Sequence, residues 1–190
     1  MSLFTRPLLV IDTETTGFLD DPDCQPWEIG AVLLDVEGCE VSTFSAVGCP
    51  AVLKPSMAKA LSIGGISEDE LRTAPPMVDV ASAFIAWIPD VDANATAFNV
   101  AFDKPMLSRL GIGYERWAPC VMERAKFIMG KAGALPWFNR YNDWKMPKLS
   151  EAAAFFGVPQ QEPAHRALAD ARTAALIAAE LQRRAKRGTP

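Results

Sequence analysis

The stretch PLLVIDTETTGF, residues 7–18, decides how the chain is read. Four consecutive apolar residues, Leu8 to Ile11, predict a buried strand. The run ends in Asp12, and Glu14 follows two positions later. Side chains of a strand alternate faces, so residues two apart point the same way. Two carboxylates on one face repel each other unless something positive stands between them. The rest of the sequence can be searched for what that is.

The chain has 190 residues, of which 49% are hydrophobic and 22% charged. That size and balance predict one globular domain, residues 1–190, with a real core over about residues 8–181 and a short basic tail. No apolar run approaches the roughly 18 residues of a membrane span. The N-terminal apolar stretch lacks a small-residue cleavage site and reads as a strand rather than a signal peptide. Cys24, Cys39, Cys49 and Cys120 are scattered, and the chain has a single histidine. Zinc and a disulfide framework are therefore not expected, and free thiols in a reducing cytoplasm are. The net charge of −4 argues against a protein that coats duplex DNA. It leaves open an enzyme that grips a nucleic-acid end through bound metal ions. The basic run QRRAKRG, 182–188, suits the C-terminus of a helix.

Further along, WEIGAVLLDVEGCEVSTFSAVG predicts a hairpin turning at DVEG, and AVLKPS could finish a strand. The segment 57–76 reads as a loop or a helix broken at Gly64–Gly65. Met77–Ile88 is helical in pattern and Ala95–Phe98 is a short buried strand. A short helix stopped by Gly111 and another closed by Gly130 follow. Residues 131–148 read as irregular. KLSEAAAFFGV predicts a helix capped near Ser150 and stopped by Gly157, and an Ala-rich helix ends the chain. This order predicts a mixed sheet with helices packed on it.

Three more polar signals join the first two. Asp103 follows a buried strand; with Pro105 behind it, it also suits a helix N-cap. Asp170 shares a helical stripe with Ala174, Ile177 and Leu181. A carboxylate there is costly unless it is ion-paired, with Arg166 or Arg172 as candidates, or metal-bound. His165 stands five residues before Asp170, an offset that does not share a helical face. From a preceding turn it could still reach the site. Four acids and one base suggest two-metal hydrolysis, with ions about 3.5–4 Å apart held by carboxylates. Hard cations take oxygen ligands, and a neutral His is the natural base for water.

IDTETTG, FNVAFD and HRALAD resemble, in order, the three motifs of the DEDD-type 3′–5′ exonucleases, and H-x-x-x-x-D marks the histidine branch. That branch includes the proofreading subunit of bacterial replicative polymerase, ribonuclease T, oligoribonuclease and exonuclease X. The resemblance covers roughly Leu8 to Leu181. It implies a ribonuclease H-like α/β fold with a mixed five-stranded sheet flanked by helices. It implies two Mg²⁺ or Mn²⁺ ions, one held by Asp12, Glu14 and Asp170 and a second bridged by Asp12 and helped by Asp103, with His165 as general base. The backbone of Thr15, Thr16 and Gly17 would approach the terminal nucleotide. Phe98 and Asn99 stand near the substrate groove. Phe98-Asn99-Val100 replaces the family's His-Asn-Ala, and Gly64 stands where the family often has His.

Residues 135–148 interleave Trp137, Phe138, Tyr141 and Trp144 with Arg140, Lys145 and Lys148. Such a pattern holds single strands by stacking and phosphate contact, or it plugs the core. The expected activity is release of nucleoside 5′-monophosphates from single-stranded DNA 3′ ends. RNA ends are the alternative, and an inactive end-binding or polymerase-binding module is an alternative of another class. A polymerase or another replication or repair protein is a candidate partner. The sequence does not show the oligomeric state.

Overall fold

The computed structural model describes residues 5–54, 57–88 and 91–188. Strands β1 (Leu8–Thr15), β2 (Pro26–Leu34) and β3 (Glu40–Val47) come first, then helices α1 (Ala58–Ile63), α2 (Glu68–Thr73) and α3 (Met77–Trp87). Strand β4 (Asn94–Thr96) precedes α4 (Val100–Arg109) and α5 (Val121–Lys131). A small hairpin, β5 (Trp137–Phe138) and β6 (Asp143–Trp144), leads to α6 (Leu149–Phe156) and α7 (Ala167–Arg187).

The main sheet runs β3-β2-β1-β4, with β1 antiparallel to β2 and parallel to β4. It is the expected mixed sheet flanked by helices, with four strands among the described residues rather than five. The place beyond β4 is taken by one parallel bridge between Ala95 and Trp117. The segment around it, GYERWAP, bends at Glu115 and meets Pro119 just past the bridge; proline gives no N–H to a ladder.

The alternation of β1 sorts the core into two layers. Leu8 and Val10 face α5, α6 and α7, while Leu9 and Ile11 face α3 and α4. By the same alternation Asp12 and Glu14 point to the α7 side. There, Ala171, Ala174 and Ala178 lie buried beside Ile177, and the small alanines let the helix settle close to the sheet. A third cluster, around Trp27, Leu61 and Leu71, packs α1 and α2 under the groove.

Local signals explain most boundaries. The β2–β3 turn closes through Asp35 Oδ1, which accepts from the Glu37 and Cys39 backbone N–H groups. Gly38 takes the φ of 88° that the turn needs. Ser67 and Glu70 form a capping box on α2. Helix α6 stops at Gly157 as expected, and its N-cap is Lys148, two residues before Ser150; the Lys148 N–H donates to Glu151. Helix α5 continues through Gly130 to Lys131. Residues 131–148, expected to be irregular, contain the β5–β6 hairpin. Residues 51–54 form no strand, and Pro55 and Ser56 of the AVLKPS stretch lie outside the described residues, as do Thr189 and Pro190 of the tail. No helix among the described residues is long and apolar enough to cross a membrane.

Candidate active site

The end of β1 carries the acids. Asp12 is directly opposite Gly30 of β2, and Glu14 opposite Glu28; the register then slips between Glu14 and Thr15. Such a bulge re-aims the chain and is common beside active sites. Gly30 decides what can lie over Asp12. A Cβ there would stand 2.1 Å from the backbone of Ala167 and Leu168. Its absence lets the first turn of α7 rest on the sheet, and Asp170 comes down beside Glu14.

Asp103 does not cap α4. The helix starts earlier, from Asn99, whose carbonyl accepts from Phe102 and Asp103. Asp103 is 3% exposed. Its Oδ1 accepts from the Thr13 N–H at 3.0 Å and the Thr13 hydroxyl at 2.8 Å. These bonds tie it to the residue between the other two acids.

His165 lies outside the helix, in the turn before it, exposed and with a left-handed φ of 61°. From there it overcomes the unfavourable sequence offset. One ligand atom each from Glu14, His165 and Asp170 fall within 4.8 Å of one another.

The electrostatics are those of an acid cluster short of cations. Burial, then the charges of Asp103, Glu14, Asp170 and Glu28, push Asp12 well above the usual carboxylate range. Burial and its acidic neighbours raise Glu14 to about 8. Burial raises Asp103 to about 7 against the opposing Thr13 bonds. Asp170 is also raised by burial, against the His165 charge and a backbone hydrogen bond. Its two candidate arginine partners are engaged elsewhere: Arg166 with Glu28 and Arg172 with Glu40. Asp170 Oδ1 is buried and accepts no hydrogen bond. An orphaned carboxylate oxygen beside other raised carboxylates and an imidazole fits a hard divalent cation.

A groove of about 450 Å³ adjoins the acids, lined by Thr13 to Phe18, Asp20, Asp21, Lys59, Ala60, Ile63 and Phe102. Thr15, Thr16 and Gly17 form part of its wall. Thr15 donates to the Gly17 carbonyl, and Thr16 N–H donates to the Gln25 carbonyl. Phe18, 76% exposed, and Phe102, Lys59 and Ile63 were not singled out from sequence, though Phe18 ends the opening motif. Arg109 pins the loop from α4 by donating to the carbonyls of Leu19, Asp21 and Cys24. Lys54 pairs with Asp21 and Asp23 from the other side. Gly64 has no room for a side chain, because a Cβ would stand 2.5 Å from the Trp27 ring.

The remaining sequence candidates separate. Phe98 packs into the core, and Asn99 starts α4. Trp144 packs on the core and covers Gly130, whose absent Cβ would stand 2.2 Å from its ring. Trp137 stacks edge-on against Trp144 yet stays 46% exposed. Arg140 lies over Tyr141, and Lys145 pairs with Glu151.

A family model for RNase T-type exonucleases matches residues 9–178. The chain belongs to that exonuclease family. A relative of this exonuclease, the uncharacterized exonuclease CP81 of Escherichia phage 186, is 28% identical over 179 residues, covering 86% of this chain and 82% of its own. The exonuclease also shares its fold with E. coli exonuclease I, solved with single-stranded DNA and zinc. The TM-score is 0.73 at 19% identity, over 97% of this chain and 42% of that one. Cell-death related nuclease 4 aligns at TM-score 0.73 and 17% identity, over 96% and 64%. This exonuclease therefore spans about two fifths of the exonuclease I chain and under two thirds of the other.

Proposed function

We propose that the protein is a metal-dependent 3′–5′ exonuclease acting on single-stranded DNA ends and releasing nucleoside 5′-monophosphates. The observation that carries this reading is Asp170 Oδ1, buried and unpartnered beside Glu14 and His165. A folded chain keeps such an oxygen when something outside the chain satisfies it. Asp12, Glu14 and Asp170 would hold one Mg²⁺ or Mn²⁺, and Asp12 with Asp103 a second. Bound there, the ions supply charge neutralisation for the phosphate and acidify water.

The residues of the chain do the rest. His165 takes a proton from the attacking water. The water oxygen bonds to phosphorus while the bond from phosphorus to the 3′ oxygen of the preceding nucleotide breaks, and that oxygen leaves as a hydroxyl by taking a proton from solvent water. Thr13 fixes Asp103 by two hydrogen bonds and so fixes where the second ion would sit. The groove beside Glu14 lies within the roughly 300–1,000 Å³ typical of small-ligand sites. It offers Phe18 and Phe102 as stacking faces and Lys59 as a cation for phosphate. Trp137 and Arg140, exposed on the hairpin, are further contacts for the strand. A polymerase or another replication or repair protein would deliver the enzyme to its ends.

Matched DNA and RNA oligonucleotides labelled at the 5′ end, incubated with Mg²⁺ or Mn²⁺, test the reading. Chelator and Asp12→Ala serve as controls. We expect a metal-dependent ladder shortening from the 3′ end, faster on DNA. Faster loss of RNA would transfer the substrate to the ribose polymer. Binding of both without cleavage would replace the enzyme by an end-binding module.

A further inference from the structure

One buried acid at the site has no place in the chemistry above. Glu28 is 1% exposed and sits opposite Glu14 in the sheet. Its negative charge works against the site, raising Asp12, Glu14 and Asp170. A fifth carboxylate beside four is costly to keep unless its geometry is used.

Both its oxygens are engaged by the segment that follows the histidine. Glu28 Oε2 accepts from Arg166 Nε at 2.9 Å and from the Ala167 N–H at 3.2 Å, and Oε1 accepts from Arg166 Nη2 at 3.0 Å. We propose that the Glu28–Arg166 pair is a positioning device for His165, holding the imidazole over the acids from the residue next to it.

His165 needs such a device. It is exposed, so packing does not hold its ring. Its left-handed backbone is strained for a residue other than glycine, and persists only when its surroundings over-determine it. On the N-terminal side the turn is closed locally, by Ala164 N–H donating to Glu162 of the same loop. On the C-terminal side the Arg166 fork clamps the chain to β2 at two points. The Arg166 carbonyl then accepts from Asp170 N–H at 3.0 Å, so one residue orients the histidine and starts the turn that carries Asp170. A guanidinium can do this and an ammonium cannot, because only the fork fixes direction as well as distance.

The inference rests on the exonuclease reading for the role of His165, but its test has an arm that does not. His165 is the only histidine, so a histidine-labelled sample gives one imidazole in the NMR spectrum. Arg166→Gln removes the fork. Arg166→Lys keeps a positive charge beside Glu28 and guards against simple unfolding. We expect both to lower kcat by about 10–100-fold, the usual effect of losing a partner that orients a site residue, with KM for a DNA oligonucleotide unchanged. The loss should vanish when either change is made in a His165→Ala background. The imidazole signals should move toward those of an unstructured peptide while the far-UV spectrum stays that of the folded protein. An equal loss of kcat in the His165→Ala background, or unmoved imidazole signals, overturns the proposal. If the wild-type protein cleaves no oligonucleotide, the exonuclease reading has failed, and the imidazole signals alone decide the positioning.

Discussion

Replacing Gly30 by alanine tests how the site is assembled. The added Cβ would stand 2.1 Å from the Ala167 carbon and the Leu168 nitrogen, whereas ordinary contact starts at 3.4 Å. The first turn of α7 must therefore retreat by about 1.3 Å (3.4 − 2.1). Backbone stands in the way, so no rotation of a side chain relieves the clash. Asp170 lies in that turn and His165 just before it. A misplacement of about 1 Å in a catalytic group costs about 100-fold in rate. The overpacking itself costs about 1–3 kcal/mol. At roughly 2–4 °C per kcal/mol for a chain of this size, Tm should fall by about 2–12 °C. The variant should thus be folded at room temperature and about 100-fold slower, measured as initial rates on a 5′-labelled oligonucleotide beside a calorimetric scan. Gly113→Ala, where a Cβ meets nothing within 4 Å, is the control and should match wild type. A Gly30→Ala protein with wild-type kcat would refute the claim that α7 and β1 build the site by direct contact.

Stability without metal should depend on pH in a direction set by the raised carboxyls. Glu14 moves from 4.5 to about 8 and Asp103 from 3.8 to about 7, so the native state binds more protons than the unfolded chain between those values. Their contribution is complete below pH about 4 and is lost as pH rises to about 8. In chelator, Tm should fall across that window, Glu14→Gln should flatten the fall, and Mn²⁺ should reverse it at pH 8. A Tm that rises instead would mean the chain neutralises its own acids. On the hairpin, Trp144→Ala should cost about 3 kcal/mol, as for a core truncation, and leave KM alone. Trp137→Ala should change stability by less than about 0.5 kcal/mol and raise KM for oligonucleotides; the reverse pattern would exchange their roles. Arg109→Ala frees three loop carbonyls beside the groove. It should raise KM more than it lowers kcat, and equal effects on both would place the loop in the chemistry.

Much of this was legible because chemistry dictates residue types. Asp12, Glu14, Asp103, Asp170 and His165 stand out as acids ending strands, an acid in an apolar stripe and a lone base; the fold gathers Glu14, His165 and Asp170 within 4.8 Å and brings Asp12 and Asp103 near enough for their charges to act on one another. What stayed hidden depends on long-range contact. Glu28 and Arg166 are 138 residues apart, and Glu28 reads as an ordinary polar residue of a strand. Gly30 reads as a weak point in β2 until α7 is seen resting on it. Asp103 looked like a cap because Pro105 suits the first turn. Backbone bonds to the Asn99 carbonyl begin the helix earlier and leave Pro105 inside it. The hairpin at 137–144 was hidden because two-residue strands leave no period to read. Its place is set by Lys126, which ties Asp143 to α5.

Helix α7 also sets when the site is lost. Eleven of its 21 residues are buried, beginning with Ala167 in its first turn. Helix ends usually open and close freely, but this one is held between sheet and core. Its early amides should exchange with deuterium only through global unfolding, along with those of β1. The base of the loop at 16–25 is tied down by the buried Cys24 and by Gln25, which pairs with Thr16 and accepts from the Ala51 N–H, but its tip, Phe18 to Asp20, is exposed and its amides should exchange sooner. The tip of one groove wall should thus exchange with solvent many times for each time the acids come apart.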